Sequence, residues 1–232
     1  MKKCKYTTMY KFFFKRLFDL ILSFIAILIL TPLLIPVILG LLLTGEHYVF
    51  YLQERIGFKN KKFRIYKFAT MLKNSPSIGS GLHTTIGDPR ILPMGEFLRK
   101  TKINELPQLL NIFKGNMSII GPRPLVDKTF NPYSDIVKKN IYNVKPGLSG
   151  IGSIIFRNEE ILLSNSTIPI DEYYKKFISP YKGELELWYQ ENISFYTDFM
   201  IIFLTIWVVL FPESNLVYKV FRDLPKKPDF LN

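Results

Sequence analysis

The stretch RKTKINELPQLLNIFKGNMSIIGPRPL, Arg99 to Leu125, divides into a helix signal and a rigid turn. Asn104 is a good helix N-cap, Glu105 sits in the first turn where a negative charge meets the positive end of the dipole, and Pro107 falls where a missing N–H costs little. The pattern predicts a helix opening at Asn104. Leu106, Leu109, Leu110 and Phe113 recur at helical spacing as one buried stripe, and Lys114-Gly115 supplies a basic last turn and a C′ glycine. The second half, Gly121-Pro122-Arg123-Pro124, fixes the backbone on both sides of one guanidinium, a group that grips phosphate through parallel hydrogen bonds. Arg123 is a candidate anion-binding residue.

The rest of the chain is rich in apolar and basic residues. Of 232 residues 48% are hydrophobic and 15% aromatic, enough for one domain with a real core and high for a soluble protein. The formal net charge of +12 implies an anionic partner: nucleic acid, anionic lipid headgroups or a phosphorylated substrate. No nucleic-acid-binding motif is recognisable, and the aromatics concentrate in apolar segments. Cys4 is the single cysteine, so the chain holds no disulfide framework.

Residues 1–11 form a basic tail, and residues 12–44 a membrane segment. From Leu17 to Leu43 the chain is apolar except for Asp19, Ser23, Thr31 and Gly40, long enough for a bilayer, which takes about 20 helical residues. Thr31-Pro32 and Pro36 interrupt it near the middle, where a helix break suits a re-entrant hairpin. Basic residues flank it on both sides: Lys11, Lys15 and Arg16 before, Arg55, Lys59 and Lys61 after. That symmetry favours both ends on the cytoplasmic face, while a proline-kinked span remains the alternative reading.

Beyond Gly45, Tyr48–Leu52 and Phe63–Phe68 read as two short strands around a turn at 57–62. Residues 74–87 read as a loop, a candidate substrate lid. Residues 158–182 carry loops and a short helix near Asp171–Phe177 with no assigned chemistry. Phe199–Phe211 is an apolar run too short to span, hence a buried or interfacial helix, and residues 213–232 read as a surface tail. No Cys/His cluster with metal-ligand spacing occurs.

Several blocks together resemble the bacterial sugar transferases, monotopic phosphoglycosyl transferases that move a sugar-1-phosphate from a nucleotide sugar to polyprenyl phosphate. These blocks are Lys15–Asp19, Gln53–Met71, Asp88-Pro89-Arg90, Arg99–Leu125, Lys145–Gly150 and Tyr189–Asp198. The resemblance implies an α+β, mostly helical fold: a small membrane-associated catalytic domain (45–212) with an N-terminal re-entrant membrane helix broken at Thr31-Pro32 and a short β hairpin. It implies transfer from a UDP-sugar to undecaprenyl phosphate with release of UMP, at the cytoplasmic face of the bacterial inner membrane. Membrane lipids and downstream glycosyltransferases are the further partners, and nucleic acid is not one.

By the same resemblance Glu105 binds Mg2+, Arg90, Arg99 and Arg123 converge on the diphosphate, and Lys145 and Gly147 contact substrate. Asn104 occupies the position of the family's catalytic Asp nucleophile, and an amide cannot replace that carboxylate without a large loss. Three readings follow: direct transfer with Glu105 and Mg2+ holding both substrates, another carboxylate such as Asp88, or a catalytically weakened homologue that binds substrates or partners. The element after Gly150, WAQV in the family, is Ile151-Gly152-Ser153-Ile154 here.

Overall fold

The computed structural model describes residues 9–75 and 88–231, so the candidate lid lies largely outside the described residues, as does most of the basic tail. A π-helical turn, Tyr10–Phe14, leads into α1, Lys15–Leu43. Pro32 and Pro36 each remove one intrahelical hydrogen bond, and Thr31 Oγ1 donates to the Ile27 carbonyl at 2.6 Å. The helix continues through both prolines; the break expected at Thr31-Pro32 is absorbed without leaving helical geometry.

One face of α1 packs on the rest of the protein from end to end. Near its start, Lys15 Nζ lies 2.5 Å from Asp198 Oδ2 and 3.1 Å from the Tyr189 hydroxyl, which itself donates to Asp198 Oδ1 at 2.7 Å. One turn on, Asp19 Oδ1 accepts from Ser118 Oγ at 3.0 Å and from the Ile119 N–H at 2.9 Å. Ala26, Ile27 and Leu30 then pack on Ile65, Leu109, Ile112 and Met117, and Val37 and Leu41 on Phe68 and Leu98. Gly40 lies against the Met94 side chain, where an added Cβ would sit 2.6 Å from Sδ unless that side chain moved. The opposite face, including Leu17, Ile21, Phe24, Leu28, Leu33 and Leu39, is exposed.

Two hydrogen-bonded ladders and a set of short helices follow. Strands β1 (Phe50–Ile56) and β2 (Lys62–Phe68) form the antiparallel hairpin, with Phe50 opposite Phe68 and Ile56 opposite Lys62. Helices α2 (Gly95–Lys100) and α3 (Gln108–Lys114) lead to β3 (Ser118–Ile120). After α4 (Asp127–Phe130) and α5 (Asp135–Asn140), β4 (Gly147–Ser149) pairs in parallel with β3. Short helices α6 (Ile151–Ile155), α7 (Glu159–Ser164) and α8 (Ile170–Tyr173) precede the longer α9 (Ser179–Glu191) and α10 (Phe195–Leu210). The largest core lies among α6, α9 and α10, with Ile151, Leu185, Tyr189, Ile201 and Leu204 fully buried.

The C-terminal residues are not the surface tail that their composition suggests. Val217, on α11 (Leu216–Val220), and Phe221 are buried in that same core, and Trp188 Nε1 donates to Asp223 Oδ2 at 3.0 Å. Their prolines and lysines masked two apolar anchors spaced one helical turn apart.

Removing one partner of a buried ion pair leaves an uncompensated charge, whereas replacing both with apolar groups of similar volume is close to neutral. Asp198→Ala therefore lowers unfolding free energy by about 3–5 kcal/mol in chemical denaturation, and Lys15→Met combined with Asp198→Leu recovers most of the loss.

Candidate active site

The helix signal at Asn104 resolves into two elements. Pro107 has no N–H for the Ile103 carbonyl, so the Leu106 N–H takes it at 3.1 Å, and Ile103–Glu105 winds as a 3-10 turn entered through Lys102 at φ 60°. The α-helix proper starts at Gln108 and ends at Gly115, φ 87°, as the glycine predicts. Asn104 therefore caps nothing; its side chain is 7% exposed, and its Oδ1 is buried without a hydrogen-bond partner.

Most of α3 is scaffold. Its buried face is Gln108, Leu109, Asn111 and Ile112 rather than the predicted leucine stripe, and Phe113, 44% exposed, stacks on Phe24 of α1 with ring centroids 6.2 Å apart. Asn111 acts as an extra strand edge: its Nδ2 donates to the Arg64 carbonyl at 2.8 Å and its Oδ1 accepts from the Tyr66 N–H at 2.9 Å. At the C-terminal end, Arg16 donates to the Ile112 and Phe113 carbonyls at 2.6 and 2.8 Å, satisfying groups that a helix end leaves open.

The glycines of the two turns serve backbone packing. A Cβ on Gly147 would lie 2.1 Å from the Gly121 nitrogen, and one on Gly150 would lie 2.2 Å from the Gly121 oxygen. Gly121 N–H donates to the Ser149 carbonyl at 2.9 Å and Gly147 N–H to the Pro122 carbonyl at 2.8 Å. Gly147 is thus a point of close approach between two backbone segments.

This packing presents Arg123 to Glu105. Arg123 Nη2 donates to Glu105 Oε1 at 2.8 Å and Nη1 to Oε2 at 3.4 Å, and Lys67 Nζ lies 3.5 Å from Oε1. Burial alone would raise the Glu105 carboxyl, but Arg123 and Lys67 outweigh it and hold the group well below the usual carboxylate range. Burial pulls Lys67 down to about 8 against the pull of Glu105. Arg55, pulled down to about 10 by burial and then by Arg123, donates to the Pro124 carbonyl at 3.2 Å and to Gln53 Oε1 at 2.6 Å. One carboxylate thus faces three cations, an arrangement suited to an added anion.

The other candidates lie elsewhere. Arg90 is buried and committed to Asp88, through Nε at 2.8 Å and Nη2 at 2.5 Å, and to the Ser75 carbonyl at 2.7 Å. The same clamp engages Asp88, the alternative carboxylate. Arg99 Nη1 lies 3.8 Å from Met71 Sδ. Lys145, its pKa lowered by burial and by Arg16, sits beside Gly115 at the far end of α3 from Glu105. Among the expected arginines, Arg123 contacts Glu105. Lys67 and Arg55 were missed as site residues; hairpin register puts them on one face with Gln53, a period-2 pattern legible in the sequence.

Behind Arg123, residues that sequence reasoning left without chemistry form a buried ionic group. Lys182 pairs with Glu159 at 2.5 Å, Glu159 adds to the field on Arg123, and the Arg123 backbone N–H faces the Glu186 carboxylate. Ser153 Oγ, Arg157 Nη1 and Glu186 Oε2 are buried without hydrogen-bond partners. Burial raises the Glu186 carboxyl to about 7, opposed by Lys182 and the Arg123 amide. Unfolded, the same group titrates near about 4.3. Between these values the folded state holds the extra proton, so stability is greatest below the window and falls as pH rises through it. Melting temperature should decline between pH 5 and pH 8 less steeply for Glu186→Gln than for the wild type.

Comparison with known proteins identifies the family of the chain. The family described as bacterial sugar transferase matches residues 10–212. The chain is 32% identical over 200 residues to the UDP-N-acetylgalactosamine-undecaprenyl-phosphate N-acetylgalactosaminephosphotransferase of Aeromonas hydrophila, covering 85% of this chain and 44% of that protein. It is 32% identical over 212 residues to the undecaprenyl-phosphate galactose phosphotransferase of Salmonella typhimurium, covering 85% and 40%. The uncharacterized sugar transferase EpsL of Bacillus subtilis is 35% identical over 200 residues, covering 86% and 89%. The chain thus spans less than half the length of the first two relatives and most of the third. By its sequence match along nearly the whole chain, it belongs to the bacterial sugar transferase family.

Proposed function

We propose that this chain transfers a sugar-1-phosphate from a UDP-sugar to undecaprenyl phosphate, giving a polyprenyl diphosphate sugar and UMP. The observation that carries this reading is the Glu105 carboxylate held among Arg123, Lys67 and Arg55, an excess of positive charge suited to a diphosphate. Relatives named for undecaprenyl-phosphate sugar transfer support the reaction class. Because Asn104 lacks a carboxylate, the transfer is direct: a lipid phosphate oxygen bonds to the donor's sugar-bearing phosphorus, and the bond from that phosphorus to the UMP oxygen breaks. UMP leaves with the electron pair. Arg123 and Lys67 neutralise the charge that develops.

Mg2+ fits the donor set. Among the described residues no group of three or more acidic, His or Cys side chains exists to cage a metal, but Mg2+ is commonly held by one or two carboxylates with substrate phosphates and water. Glu105, whose oxygens pair with Arg123 and Lys67, would supply the carboxylate together with the donor's phosphates, and the unpartnered Oδ1 of Asn104 would offer a second oxygen. When bound, the ion screens the phosphate oxygens.

The reaction needs a membrane interface, and α1 supports one. Both of its ends pack on the same domain while its outer face is apolar and exposed, as are Phe195, Phe199, Phe203 and Ile206 of α10. A helix held at both ends on one domain, with its outer face apolar, lies in the interface without carrying the chain across. We assign the domain to the cytoplasmic face of the bacterial inner membrane, where a downstream glycosyltransferase takes the lipid-linked product.

A second reading rests on Asn104: a substrate-binding or scaffold homologue that no longer turns over. UMP release from a panel of UDP-sugars with undecaprenyl phosphate and Mg2+ separates the two. Under direct transfer the wild type is active and Arg123→Ala loses about 100-fold or more in kcat/KM, with Arg123→Lys a poor substitute. Glu105→Ala also loses activity. Turnover by Asn104→Asp alone would establish the scaffold reading, and no UMP release by any variant would refute the transferase.

A further inference from the structure

The turn that carries Arg123 has little backbone hydrogen bonding of its own, because Pro122 and Pro124 lack N–H groups. A single hydroxyl compensates across it. Tyr142, 1% exposed, donates to the Arg123 carbonyl at 2.8 Å, and its oxygen accepts from the Leu125 N–H at 2.9 Å, spanning the Pro124 bend. Burial raises the Tyr142 pKa, so the hydroxyl keeps its proton at neutral pH.

The ring of Tyr142 is itself fixed. It stacks on Phe130 with centroids 6.0 Å apart, and the Tyr142 carbonyl accepts from the Lys59 N–H at 2.8 Å. Arg55 holds the next carbonyl, that of Pro124, and Ile56 N–H donates to that of Leu125 at 2.8 Å. Neither touches both sides of the bend. Tyr142 does, and Arg123 reaches Glu105 from the residue whose carbonyl it grips.

We infer that Tyr142 is a positioning residue for Arg123: its hydroxyl sets the backbone of the Pro-Arg-Pro turn so that the guanidinium meets Glu105 and, on the reading above, the donor diphosphate. This assigns a task to a residue outside the sequence blocks that first suggested the family. The hydroxyl carries it, while the ring contributes packing that Phe would keep.

The test is a double-mutant cycle of Tyr142→Phe and Arg123→Ala, read in two ways on the full chain in detergent. The first is the unfolding free energy, which needs no ligand. The second is affinity for UDP by calorimetry. If Tyr142 acts through Arg123, Tyr142→Phe weakens UDP binding by about tenfold in the wild-type background and leaves it nearly unchanged once Arg123 is Ala; the unfolding energies are likewise non-additive. Additive effects in both measurements overturn the inference. Gln190→Leu is the control for general destabilisation, since Gln190 Nε2 donates to the Ile141 carbonyl at 2.5 Å, next to Tyr142. Equal loss of UDP binding in that variant also overturns the inference. A wild type that binds no UDP refutes the donor reading instead, and the unfolding cycle then decides the positioning role by itself.

Discussion

The buried pair between Lys15 and Asp198 is the constraint on which the arrangement depends. It joins the first turn of a long apolar helix to the first turn of α10, with Tyr189 and Tyr10 hydrogen bonded to the same carboxylate. Burying two charges is costly, and the cost is met only when further hydrogen bonds satisfy the remaining lone pairs, as the two tyrosines do here. Asp19 repeats the device one turn later on β3. Together they fix the register of α1 over the domain, which shape alone would leave free to slide, because apolar side chains along a helix are nearly interchangeable.

From that anchor the site follows by short mechanical links. Asp19 holds β3, β3 pairs with β4, and the strand ends at Gly121, where contact with Gly147 and Gly150 sets the turn. Tyr142 and Arg55 hold the far side, and Arg123 projects to Glu105. Glu105 arrives from the other direction, on a 3-10 turn that exists because Pro107 cannot donate a hydrogen bond. The two halves of the Arg99–Leu125 stretch therefore meet across the fold as well as along the chain.

Asn104 sits next to Glu105, whose ionisation does not rest on it. Glu105 is ionised by its cationic neighbours, Lys67 and Arg123, and neither depends on a charge at position 104. The Asn104 Oδ1 is buried without a hydrogen-bond partner. An amide there supplies an oxygen but no negative charge.

The sequence by itself determined much of this. Alternation and turn residues gave the hairpin, the C′ glycine gave the end of α3, and a 27-residue apolar run gave α1, because each is set by local periodicity or backbone restriction. The Gly-Pro-Arg-Pro turn named Arg123, since prolines on both sides are legible without a fold. Only tertiary structure decided that Asn111 is a strand-edge mimic, that Gly147 packs on the Gly121 turn, and that Arg90 pairs with Asp88. Lys67 and Arg55 joined the site, and Val217 and Phe221 the core, for the same reason: partners far apart in sequence are chosen by packing, and a side chain's residue type states what it can bind, not which neighbour folding will bring to it.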